Sequence, residues 1–129
     1  MIRAMNRFSK AIKRKARKGF RGYPVGSVAY YGPDDRKATK IVAGVVLREG
    51  EEPAHLERWL SEGAEIRDDV DVLSAVVEFL RENNVKSVVL MERIIGCPHE
   101  EGVDYPEGES CPQCPFWANR DRWTGDVLH

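Results

Sequence analysis

Apolar residues recur along the first 22 positions at Met5, Phe8, Ile12 and Ala16, spacings of three and four that place them on one helical face. Gly19, Gly22 and Pro24 then punctuate the segment and end the helix. Residues 26–31 (Gly-Ser-Val-Ala-Tyr-Tyr) read as a first strand, and Gly32-Pro33-Asp34-Asp35 as the turn that follows it. Residues 38–48 read as a second strand. They are rich in β-branched residues and apolar on both faces from Ile41 to Leu47, which suits a central position in a sheet. Between Pro53 and Gly63 the pattern predicts a short helix over 53–62, with Leu56, Trp59 and Leu60 inward and His55 an ordinary helix-face histidine. A second helix is predicted over 69–83, capped by Asp68 and carrying a stripe of Leu73, Val76, Val77 and Leu80, with Asn83-Asn84 as a left-handed stop. Residues 86–95 read as a third strand.

This order predicts an α/β fold, with α+β as its variant: a small three-stranded mixed sheet made from a hairpin plus a right-handed strand-helix-helix-strand crossover. The crossover makes the second and third strands parallel. After Gly96 the periodicity stops, and prolines 98, 106, 112 and 115 exclude a long helix or a central strand there. A length of 129 residues implies one domain. Its parts are a basic amphipathic N-terminal helix or arm (1–22), an α/β core (23–96), and a C-terminal segment (97–129) that needs something other than backbone ladders to order it.

That segment supplies the chemistry. Cys97-Pro98-His99 is followed, eleven residues later, by Cys111-Pro112-Gln113-Cys114. Cys-x-x-Cys sets two sulfurs on one tight turn, and Cys97 with His99 makes a second short chelating pair. Four nitrogen and sulfur donors with no vacancy describe a closed structural zinc site, with an iron or iron–sulfur site as the lesser alternative. An odd number of cysteines clustered in one segment argues for metal ligation over a disulfide framework, and for a reducing, cytoplasmic setting. The Cys-Pro-x-Cys element resembles the knuckle of zinc ribbons and rubredoxins, although Pro115 stands where the usual glycine follows. His99-Glu100-Glu101 together with Cys111 and Cys114 also resembles the signature of zinc nucleobase deaminases, which implies a glutamate moving protons beside a metal-bound water. Three features oppose that resemblance: the gap is short, Ser110 replaces the expected proline, and Cys97 offers a fourth ligand in the water position. No Gly-rich phosphate loop, Gly-x-Ser-x-Gly or His-Glu-x-x-His occurs.

Charge adds a second candidate surface. Nine of the chain's 20 Lys and Arg lie in residues 1–22 with no acid, leaving eleven against 21 acids in the rest. Lys10, Lys13, Arg14, Lys15, Arg17, Lys18 and Arg21 therefore form a candidate site for an anionic partner, RNA or DNA. In the alternative, the Met5-Phe8-Ile12 stripe docks on a protein partner or on a second copy of the chain. The helix is also compatible with a membrane surface, and it resembles in part a mitochondrial presequence. In a third arrangement the helix packs on its own acidic body. Aromatics of the tail, Phe116, Trp117 and Trp123, interleave with Arg120 and Arg122. They are expected to cover the metal loop and dock it, with base stacking as the second reading. Gly125 to His129 are expected to fray. The longest apolar run, Ile41–Leu47, is too short to span a bilayer.

Overall fold

The computed structural model describes residues 6–118 and 120. Met5, Arg122, Trp123 and the expected fraying of 125–129 lie outside these residues. Among the described residues, no helix is long and apolar enough to cross a membrane.

The chain opens with α1 (Arg7–Arg17), followed by β1 (Val25–Tyr31), β2 (Lys40–Val46), β3 (His55–Leu60), α2 (Val70–Glu82) and β4 (Ser87–Ile94). Single 3-10 turns lie at Ile66–Asp68 and Pro115–Trp117. The four strands form one mixed sheet in the order β3-β2-β1-β4. β1 pairs antiparallel with β2, which pairs antiparallel with β3, while β4 runs parallel to β1. The mixed α and β architecture, the hairpin and the central place of β2 follow the apolar patterning.

Two expectations are corrected. Residues 53–62 are not a helix; they contain edge strand β3, so the sheet has four strands rather than three. The spacing of Leu56, Trp59 and Leu60 suits either state over so few residues. Pairing decides it, because β3 satisfies the main chain of a β2 that is apolar on both faces. In the strand, Trp59 turns toward α2, its ring 6.0 Å from Phe79 and edge-on to it. Leu56 and Leu60, expected inward, project from the opposite face and are exposed. The extra strand also reverses the chain once more. The parallel partner of β4 is therefore β1, not the second strand, and the strand-helix-strand crossover runs from β3 through α2 to β4.

Both helices cover the same face of the sheet. Ile12 of α1 and Leu73, Val76 and Leu80 of α2 pack with Val28 and Tyr30 of β1, Ile41 and Val45 of β2, and Val88 and Ile94 of β4. Gly26 permits this close approach: a Cβ there would lie 2.6 Å from Leu80 Cδ2. The Asn6 side chain caps α1 by accepting from the Phe8 and Ser9 amides. Arg14, Lys15 and Arg17 in the last turn oppose the negative end of its dipole. Asp69, one residue later than expected, caps α2, and Asn84 takes the left-handed conformation (φ 55°) that ends it. Asp34 acts as a turn residue. Its Oδ1 accepts from the Arg36 and Lys37 amides, which hold the carboxyl below its ordinary range.

Candidate metal centre

β4 delivers the first donor pair. Ile95 donates its amide to the Tyr30 carbonyl at 3.0 Å, and Gly32 donates to the Gly96 carbonyl at 2.9 Å, so the chain is still stitched beside β1 when it reaches Cys97. The Cys97 sulfur then accepts the His99 amide at 3.2 Å, closing the Cys-x-His turn. The second pair lies on a turn in which the Cys114 amide donates to the Cys111 carbonyl at 3.3 Å. Between the pairs, residues 100–110 fold on themselves. Glu100 donates its amide to Asp104 Oδ2, and Gly108 donates its amide to Glu101 Oε2.

The outcome is convergence. Nδ1 of His99 lies 3.1 Å from the Cys97 sulfur, 3.4 Å from that of Cys111 and 3.5 Å from that of Cys114. All four ligand atoms fall within 4.8 Å of one another. Cys111 and Cys114 are buried, Cys97 and His99 half-buried, and all three cysteines are free thiols. Every residue of the expected ligand set is therefore brought to one point, where the four form a possible metal-binding site.

The electrostatics suit a cation. Burial first, and then the neighbouring thiols, push the Cys97 thiol up, against the His99 amide hydrogen bond that lowers it. Burial likewise raises Cys114; its contact with Cys97 lowers it, and proximity to Cys111 raises it again. Crowding and burial thus disfavour the ionised sulfurs, and a divalent cation among them would favour that form instead.

One anchoring group was not evident from the sequence. Lys40, a buried cation at the start of β2, donates from Nζ to the Pro98 carbonyl at 2.9 Å and to Glu100 Oε1 at 3.3 Å. Arg58 of β3 donates from Nε to the same oxygen at 2.6 Å. Lys40 and Arg58 together hold the Glu100 carboxyl below its ordinary range. The only hint in the sequence was a lysine heading an otherwise apolar strand. On the far side, Trp117 donates from Nε1 to the Gly32 carbonyl at 2.8 Å and packs on the core, so the tail docks the loop as expected. Phe116 packs edge-on to Trp117, and the Arg120 guanidinium lies 4.1 Å from the Phe116 ring centre.

The basic candidates separate from this centre. Lys10, Lys13, Arg14, Lys15 and Arg17 lie on α1, with Lys18 and Arg21 just beyond it. Lys10, Arg14, Lys15, Arg17, Lys18 and Arg21 are exposed, while Lys13 is half-buried, 4.0 Å from Glu92. Comparison with protein families, with curated proteins and with solved structures finds no match to this chain.

Proposed function

We propose that this protein is a small zinc-stabilised, non-catalytic domain that associates with RNA or DNA through the basic face of α1. One observation carries the reading. The apolar side of α1 is turned inward, with Ile12 only 2% exposed, while six of the seven candidate cations on and just after the helix, and Arg7 with them, face solvent. A helix held in this way presents its charges from a fixed scaffold and can release counterions on meeting phosphates. The same observation disfavours the alternative in which that apolar stripe docks on a partner or a second copy, because Ile12 lies in the core and Phe8 packs against it.

Zinc is favoured over iron by the donor set of three thiolates and one imidazole. In a tetrahedral zinc site, bonds of about 2.3 Å to sulfur and 2.0 Å to nitrogen separate nitrogen from sulfur by about 3.5 Å. The sulfur-to-Nδ1 distances of 3.1–3.5 Å lie close to that value. Such an ion would act as a crosslink, with an apparent binding energy on the order of 10 kcal/mol available to order the loop. A deaminase-like role is disfavoured by the fourth protein ligand. It is also disfavoured by the carboxylates, since Glu100 is held by Lys40 and Arg58, and Glu101 by the Gly108 amide. Free thiols suit the reducing cytoplasm.

The test is salt-dependent binding of the full chain to RNA and DNA, together with metal analysis of the purified protein. One equivalent of zinc is expected. Lys10→Glu, Arg14→Glu and Arg17→Glu combined should abolish binding without loss of metal. Binding that survives this triple reversal would overturn the assignment of the surface.

A further inference from the structure

The segment linking α1 to β1 displays an aromatic ring. Phe20 is 68% exposed, yet the loop bearing it is tightly held. The Arg21 amide donates to Ser87 Oγ at 2.7 Å, that hydroxyl donates to the Gly22 carbonyl at 2.8 Å, and the Lys86 amide donates to the Pro24 carbonyl at 2.9 Å. Gly19 and Gly22 provide the positive φ angles, 72° and 106°, that this path requires. Tyr23 lies edge-on to Phe20, ring centres 5.5 Å apart, and steadies it. Beside the ring, a groove of about 320 Å³ runs along the start of β4, with Ala16, Val25 and Val89 among its walls. Cations stand close by in the chain: Lys18 and Arg21 flank Phe20, Lys86 precedes Ser87 of the groove wall with its stem near Gly22, and all three are exposed.

We propose that Phe20 is a stacking platform for an unpaired base of single-stranded RNA, with Lys18, Arg21 and Lys86 meeting the flanking phosphates. The inference rests on the nucleic-acid reading of α1 and narrows it to a class of strand. An exposed aromatic ring on a cation-rich segment fits a ligand that is itself a flat π-system on an anionic chain. An apolar protein partner would bury those cations without partners, at a large desolvation cost. A second copy meeting this patch with the same patch would bring like charges together. A duplex satisfies the cations but keeps its base faces stacked inside. Unpaired bases are the habitual state of RNA loops and ends, which favours RNA over DNA.

Fluorescence anisotropy of the full chain decides the matter, using a labelled RNA strand, the same strand in a blunt duplex, and the DNA strand of equivalent sequence. The RNA strand should bind tightest. Phe20→Ala should weaken strand binding about 5- to 150-fold, the range expected for loss of one stacked base, and leave duplex binding and the salt slope unchanged. Phe20→Tyr should retain wild-type affinity. Because the ring is exposed, the circular dichroism and urea midpoint of Phe20→Ala should match wild type. Full affinity for the RNA strand in Phe20→Ala, or tighter binding of the duplex or of the DNA strand, overturns the proposal while the basic-face reading stands. If the wild-type protein binds none of the three, both fall.

Discussion

At the scale of single residues, a group with leverage on the candidate metal centre is Lys40, which is not itself one of the four donors. Its ammonium ties the Pro98 carbonyl and the Glu100 carboxylate to β2. Lys40→Met keeps the stem and removes the charge. Partners of this kind typically contribute 10- to 100-fold in metal affinity, and a loss of about that size is expected in chelator competition. A second residue-scale prediction concerns acid. In Glu65, burial acts to raise the carboxyl, but hydrogen bonds from the Arg67 side chain and from the Arg67 and Ala38 amides outweigh it, so the net value is lowered. A carboxyl whose folded pKa lies below its unfolded value, about 4.3, contributes its full stabilisation above that unfolded value. It loses the contribution as the pH falls through the folded one. Urea melts between neutral and strongly acidic pH should therefore show a steeper acid-side loss in wild type than in Glu65→Gln. At this scale the four candidate ligands were fully legible, because Cys-x-His and Cys-x-x-Cys are local chelating geometries. Lys40 was not, since its partners lie 58 and 60 positions away.

At the scale of elements, α1 is a structural part of the fold as well as a carrier of charge. Ile12→Ala should destabilise the protein by about 2–5 kcal/mol in urea unfolding, the usual cost of emptying a buried isoleucine site. Deleting residues 1–22 should for the same reason compromise folding, which makes charge reversal the cleaner probe of binding. A near wild-type midpoint for Ile12→Ala would show the helix to be dispensable. Elements with a long, unambiguous period were legible: α1, α2, and the apolar runs of β1, β2 and β4. β3 was not, because six residues carrying Leu56, Trp59 and Leu60 satisfy either period, and the deciding partner is the edge of β2. That one misreading displaced the parallel pair by a strand.

At the scale of the whole molecule, the metal segment is fastened at three places: to the end of β4, to Lys40 and Arg58 on the sheet, and through Trp117 to the Gly32 turn. Chelation should therefore loosen a defined unit. Hydrogen exchange in the presence of a strong chelator is expected to accelerate over residues 97–118, while amides of β1 and β2 stay protected. Uniform loss of protection across the sheet would mean that the metal holds the entire fold. The irregular segment was legible as needing a crosslink, but its three attachment points were not, because each joins positions far apart in the chain.

The order of these parts along the chain has a consequence for biogenesis. Every donor lies downstream of β4, so a polypeptide emerging from the ribosome has all four strands available before the first thiol appears. A metal ion taken up by these four residues would then meet a nascent domain whose strands have all been made, and its capture would be a finishing step. If the proposed zinc is that ion, its scarcity during growth would yield molecules with an intact sheet and an undocked C-terminal flap, vulnerable to proteases at that flap first.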